Sequence, residues 1–288
     1  MYEIVELSEY NIAAYDSYID KDIAELIGRV YYRGLVVLNI SVEPVASLVW
    51  QLRDYEKINK NTRSDIIWAK CNDRDAFAVL MEEYSRSVKE EGVFESRVLL
   101  PAKTGKELRA LFESVGFEME IAESDIMIAR VSELAAMPFM QKLSKKKMPD
   151  NIVLLNTITM RTFRRGVIKC VERGNYGLCE DLIDLGISYF DNDVSSISLC
   201  EGEINGFFLF HRRPSGIMAV QLLRCLDDSF KTTIPYMMRR FVTAMEEKYG
   251  PDARVELDRH NEQSLLLSEK LLPRSLGMPI FTGNRKET

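Results

Sequence analysis

Residues 94–117 read as a short apolar strand running into a helix that ends Leu111-Phe112-Glu113-Ser114-Val115-Gly116-Phe117. A glycine just past a helical stretch is a stop signal, and a helix so closed after an apolar strand belongs on the face of a sheet. The chain is thereby directed to an α/β fold, and the segments on either side extend the same order. Strands are predicted over 34–40, 42–52 and 65–70, with a polar hairpin connection over 53–63. Asn72 or Asp73 then caps a helix in which Ala76, Phe77, Leu80, Met81, Tyr84 and Val88 recur at spacings of three and four, and Gly92 ends it. A strand over 96–100, the helix over 105–114 and a strand pair over 118–130 complete a mixed sheet with helices on its faces.

Pro138, the run Lys145-Lys146-Lys147 and Pro149 interrupt this order. They predict a solvated linker over 135–150 between a first domain, 1–134, and a second, 151–288. Met137, Met140 and Met148 are then expected to pack between domains. The second half repeats the pattern: helices over 166–172 and 177–190, strands over 195–200, 204–212 and 217–226, a helix over 233–249 stopped by Gly250-Pro251, a strand over 254–257 and a helix over 263–272. With 288 residues, 46% of them apolar, there is material for two cores.

A net charge of −6 argues against a nucleic-acid or anionic-membrane partner, since either calls for a basic surface. No apolar run is long enough to span a bilayer or resembles a signal peptide. The five cysteines (Cys71, Cys170, Cys179, Cys200 and Cys225) are scattered and form no Cys-x-x-Cys pair, so reduced thiols and a cytoplasmic location are expected. Two histidines, His211 and His260, exclude a His-rich metal site.

The ending Leu111 to Phe117 resembles the closing motif of the GNAT acyltransferase family, in which a leucine, an aromatic and a terminal Gly-Phe dock the last helix on the sheet. In the second half Arg254-Val255-Glu256-Leu257-Asp258-Arg259-His260-Asn261, followed by residues 264–272, is similar to the family's fifth strand, its asparagine and its last helix. The turn Glu201-Gly202-Glu203 and Ile204-Asn205-Gly206-Phe207 resemble its second hairpin. The order, met twice, implies two tandem GNAT-like domains. It also implies acetyl-CoA or another acyl-CoA as cofactor and a small-molecule or peptide amine as acceptor. In the family the fourth strand splays from the fifth to take the pantetheine arm, and the next helix points its N-terminus at the pyrophosphate through a loop of the type Arg/Gln-x-x-Gly-x-Gly/Ala.

Both halves depart from that loop. The first has Lys70 to Ala76, with Asp73 and Asp75 and no glycine; the second has Cys225 to Thr233, with Asp227 and Asp228 and no glycine. A carboxylate at a helix N-terminus stabilises the helix but occupies and repels the place of an incoming anion. Lys231 and the hydroxyls of Ser229, Thr232 and Thr233 offset this in the second half only. The resemblance therefore makes the first half a structural copy and assigns the cofactor to Leu226, Ser229, Lys231, Thr232, Thr233 and Asn261. For proton transfer the candidates are His260 and Asp193. For the substrate they are Asp191, Gln221 and Arg224, with Glu256 as the expected partner of Arg224 if that arginine is buried. Plainer readings stand beside these: an Asx-stabilised turn for Asp191 and Asp193, and a solvated hairpin tip for His211-Arg212-Arg213. Two functions compete, an acyl-CoA-dependent N-acyltransferase and a binding or scaffolding module with decayed cofactor sites. A splay between the strand ending near Arg224 and that beginning near Arg254 discriminates between them.

Overall fold

The computed structural model describes residues 2–54, 62–104, 106–173, 185–227, 230–259 and 277–287. By contact the chain forms two units: Met1–Ser124 with Met278–Thr288, and Asp125–Gly277.

Unit 1 contains β1 (Glu3–Glu6), α1 (Lys21–Ala24), β2 (Tyr32–Leu38), β3 (Pro44–Asp54), β4 (Thr62–Cys71), α2 (Arg74–Glu90), β5 (Val93–Pro101), α3 (Lys106–Ser114) and the first part of β6 (Glu118–Arg130). The chain's last strand, β12 (Gly277–Lys286), lies between β5 and β6, giving the order β1-β2-β3-β4-β5-β12-β6. Only β4 and β5 among the registered pairs of this unit run parallel. The predicted cap is Asp73, which accepts from the backbone N–H of Asp75 and Ala76. The apolar stripe of α2 is buried on the sheet against Val37, Leu48, Trp50, Ile66 and Val98, and full burial of each such side chain stabilises by about 1.5–3 kcal/mol. The motif that ends α3 behaves as its residues require. Gly116 has φ +92°, its N–H donates to Glu113 and that of Phe117 to Phe112, the double bond of a Schellman cap. The Phe112 ring meets Phe77 and Phe117 edge to face.

Unit 2 contains the rest of β6, α4 (Val131–Ala135), α5 (Pro138–Ser144), β7 (Ile152–Leu154), α6 (Met160–Glu172), β8 (Ser196–Cys200), β9 (Glu203–Arg212), β10 (Met218–Cys225), α7 (Phe230–Tyr249) and β11 (Arg254–Asp258). Its strand order is β6-β11-β10-β9-β8-β7, with β10 and β11 parallel. The β8–β9 turn has Glu201 and Gly202 both at positive φ, the backbone of a tight hairpin. One sheet face packs on α7, through Phe208, Phe210, Met218, Leu223 and Val255. The other packs on α6, through Phe207, Leu209 and Leu222. There Gly166 lets α6 approach so closely that a Cβ would stand 2.8 Å from Phe207 Cζ and 2.9 Å from Ile204 Cβ.

Three expectations are corrected. Residues 118–130 form one strand, not a pair, because no turn residue interrupts them. The stretch 135–150 is not a linker: Pro138 is the first residue of α5, Met137 and Met140 are buried within the core of unit 2 rather than between domains, and Arg239 donates to the carbonyls of Leu143 and Lys146. Of the helix expected over 177–190, residues 185–190 instead contain a 3-10 turn at Ile187–Tyr189. Residues 177–184 and the helix expected over 263–272 lie outside the described residues.

Candidate functional site

In unit 2 the two parallel strands separate almost at once. β10 and β11 pair at Met218↔Val255 and Ala219↔Glu256 and nowhere further. At the same place the β9–β10 register jumps from Val220↔Phe210 to Leu222↔Leu209, so Gln221 is an extra residue on β10. A bulge bends its strand and raises the local twist, which turns the rest of β10 away from β11. Beyond Ala219, among the described residues, β10 has no strand partner on that side. The result is a V-shaped groove edged by main-chain amides and carbonyls.

At the point of the V three residues form a row across the sheet: His211 on β9, Ala219 on β10 and Glu256 on β11. Val255 and Leu257, on either side of Glu256, belong to the α7 face, so Glu256 points to the α6 face, as Asp258 does. Glu256 Oε1 accepts from Arg213 Nη2 at 2.5 Å, and both side chains are largely buried. The His211 ring stacks on Tyr189 with centroids 4.0 Å apart, and its Nδ1 is 2.7 Å from the Tyr189 carbonyl. A carbonyl oxygen there makes Nδ1 the donor. The alanine between them leaves a gap between an imidazole and a carboxylate whose Cα atoms are two strand spacings, about 10 Å, apart.

Of the expected cofactor residues, Leu226 is buried and its N–H donates to the Asn205 carbonyl. Thr232 and Thr233 are in the first turn of α7. Ser229, the side chain of Lys231, and Asn261 and His260 lie outside the described residues. Asp227 accepts from Asn205 Nδ2 at 2.7 Å. Gln221 and Arg224 are on the stretch of β10 beyond its pairing with β11. Arg224, however, does not pair with Glu256, whose partner is Arg213.

Asp191 and Asp193 are elsewhere. Asp191 Oδ1 accepts from the backbone of Asp193, the turn of the plainer reading. Both carboxylates are gripped by Lys248 at 2.8 and 3.0 Å, Asp191 also by the Tyr249 hydroxyl and Asp193 by Asn156. The Asn156 amide and then Lys248 hold the Asp193 carboxyl below its usual pKa. Although burial opposes it, the hydrogen bonds to Asp191, Tyr249 and Asp193 raise the Lys248 pKa. This cluster sits at the C-terminal end of α7, a helix of 20 residues and so about 30 Å long, whereas the groove's helix end is its N-terminus. The Asp191 amide donates to the Phe210 carbonyl, one residue from His211, and both carboxylates are held by these neighbouring groups. His211 and Glu256 are the pair that reading along the chain missed; only strand register joins them.

Unit 1 has a groove of the same construction. β4 and β5 pair from Thr62↔Val93 to Ile66↔Val98 and then part, beside an extra residue at Ile67. Its helix end is filled: Asp73 caps α2 and also accepts from the Tyr2 hydroxyl at 2.7 Å, and that bond with the Ala76 amide holds its carboxyl below the usual pKa. A cleft of about 530 Å³ in this unit, lined by Ile4, Glu6, Trp50 and Glu90, is near the opposite end of α2 and is not part of the groove.

No protein-family model matches the chain, and no curated protein matches it. Solved structures do. A tandem GNAT protein from the clavulanic acid biosynthesis pathway, without acetyl-CoA, superposes with a TM-score of 0.61 at 10% identity, over 100% of this chain and 99% of that one. A GCN5-related N-acetyltransferase from Sphaerobacter thermophilus gives 0.55 at 11% identity, over 99% and 96%. A conserved protein of unknown function from Bacteroides thetaiotaomicron gives 0.56 at 12%, over 99% and 100%. At such identities the likeness concerns the fold, and with two bulged, splayed strand pairs in succession the chain has the fold of a tandem GNAT protein.

Proposed function

We propose that the protein is an acyl-CoA-dependent N-acyltransferase whose working site is the groove of unit 2. One observation carries this reading: the β10–β11 pair opens directly after Ala219↔Glu256 instead of zipping to its end. The open edge of β10 offers amides and carbonyls to the amide-bearing arm of an acyl-CoA, with Leu226, Thr232, Thr233 and the first turn of α7 toward the phosphates. The cofactor supplies an activated thioester. The acceptor is an amine, of a small molecule or peptide, and Glu256 is the group that takes its proton, directly or through one water. His211 lies across Ala219, on the other side of the row from Glu256. The scaffolding alternative has its best support in unit 1, where Asp73 fills the helix end.

The test is calorimetric titration with acetyl-CoA of the wild type and of Lys231→Glu, which places a negative charge at the first turn of α7. Micromolar binding that weakens at least about tenfold in the variant, the size of a helix-end charge reversal of ~1.4 kcal/mol, supports the reading. No binding at millimolar ligand overturns it.

A further inference from the structure

Among the described residues Arg224 has no ion-pair partner. Its Nε is buried with no hydrogen-bond partner among the described residues, and the carboxylate nearest in sequence logic, Glu256, is held by Arg213. A guanidinium stays charged at every physiological pH, and a partly buried charge left unpaired is unfavourable to the free protein. Such a side chain on the wall of an open groove fits an anion that arrives with a ligand.

The strand alternation says which ligand. Leu223 and Cys225 pack on the α7 side, while Leu222 and the residue opposite Arg224, Phe207, pack on the α6 side. Arg224 therefore projects to the α6 face, the face of Glu256, Asp258 and His211, and away from α7, whose N-terminus is the place for cofactor phosphates. One face of the groove thus carries Glu256, held by Arg213, and Asp258 near the point of the V, and farther along β10 a guanidinium with no ion-pair partner among the described residues.

We infer that the acceptor is a zwitterion: an amine, facing Glu256 and Asp258, that also carries an anionic group, carboxylate or phosphate, bound by Arg224. This rests on the acyltransferase reading of unit 2 and narrows its substrate class. The guanidinium fork matches either anion in a two-point hydrogen bond.

The experiment measures binding of three amine series to the full chain by calorimetry, with and without acetyl-CoA: amino carboxylates of increasing length, aminoalkyl phosphates, and the neutral carboxamides of the first series. Wild type and Arg224→Gln are compared, and acetyl-CoA is titrated into both. The expected result is that one anionic series binds about 10–100-fold more tightly than the amides, the worth of a hydrogen bond to a charged group. That preference disappears in Arg224→Gln, while acetyl-CoA affinity is unchanged and the thermal midpoint is not lowered. Whichever anionic series wins identifies the group. The inference is overturned if the preference survives in Arg224→Gln, if acetyl-CoA binding weakens with the substitution (Arg224 then serves the cofactor), or if no amine binds at millimolar concentration. Failure of acetyl-CoA to bind the wild type removes the acyltransferase reading by itself, since the amine titrations run without it.

Discussion

The two grooves share a backbone device and differ in the side chains around it. In each unit a one-residue bulge, Ile67 on β4 and Gln221 on β10, sits where two parallel strands part. In unit 1 the row on the face away from α2 is closed. Asp65 is fully buried between Arg63 and Arg97 at 3.0 and 3.2 Å, so its charges are spent within the sheet. In unit 2 the corresponding face has an alanine in the middle of the row, with His211 and Glu256 on either side. At the helix end, Asp73 caps α2 directly, while Asp227 is drawn to Asn205. The same fold thus has a row closed on itself in one unit, and in the other a row with a small residue in the middle whose polar members are held from outside it, by Tyr189 and Arg213. The difference lies in a few polar residues rather than in the strands.

The largest expected effect separates these roles. Glu256→Gln should lower kcat about 10²–10⁴-fold, the usual contribution of a positioned base, with acetyl-CoA affinity kept; steady-state kinetics and titration read both. Asp65→Asn should do the converse. It leaves turnover intact and destabilises unit 1 by about 3 kcal/mol, because two guanidiniums lose a buried partner, as seen in denaturant unfolding. A loss of activity in Asp65→Asn and none in Glu256→Gln would reverse the assignment of the working unit.

Next in size are two glycines that allow close approach, one per unit. A Cβ at Gly283 on β12 would meet the Glu118 carbonyl at 2.9 Å and the Met119 Cα at 3.2 Å; at Gly166 it would meet Phe207 and Ile204. Valine at either position should cost about 1–3 kcal/mol through overpacking. Hydrogen exchange should show the loss in α2 and β5 for Gly283→Val, and in α6 and β9 for Gly166→Val. Protection lost equally in both units by either variant would mean that the units do not respond separately.

What the sequence disclosed follows from how local each signal is. The end of α3 was legible because Gly116 and Phe117 determine a cap made of neighbouring residues. The Asp73 cap and the apolar stripe of α2 were legible for the same reason. Residues 135–150 were misread because prolines and a lysine run look alike in a linker and in short helices; only the burial of Met137 and Met140 tells them apart. The site was the least legible part. His211 and Glu256 are far apart in the chain and come into one row only through a register set by the bulge at Gln221. The aspartates at the sheet entry are gripped by Lys248 at the C-terminal end of α7, a contact that spacing along the chain does not show.

A smaller effect tests whether Asp73 is what closes unit 1 to anions. Asp73→Gly exposes the amides of Asp75 and Ala76 and removes the negative charge. It should lower the thermal stability of unit 1 and allow weak, salt-sensitive binding of inorganic pyrophosphate, followed by the amide shifts of Asp75 and Ala76. If those amides do not move, a feature other than the carboxylate keeps ligands out.

The smallest effects are in pH dependence, one in each unit. The Asp73 carboxyl is held below its ordinary value of 3.8, first by the Tyr2 hydroxyl. Its contribution to stability is therefore complete above about pH 4 and fades as pH falls through the lower folded value. Tyr2 is pushed up to about 12 from 10.0, chiefly by the same bond, so its contribution is complete below pH 10 and fades as pH rises through 12. Tyr2→Phe should lower the thermal midpoint of unit 1 between those limits, with the gap to wild type narrowing as pH falls below 3.8 and again as it rises through about 12. The Asp73 carboxyl resonance should then titrate nearer 3.8. In unit 2, Asn156→Ala removes the first of the groups that depress Asp193, but Lys248 still faces that carboxylate. Its pKa should rise less far. An Asp193 that titrates at its ordinary value in Asn156→Ala would show that Lys248 belongs to Asp191 alone, leaving the C-terminal end of α7 with a single charge pair.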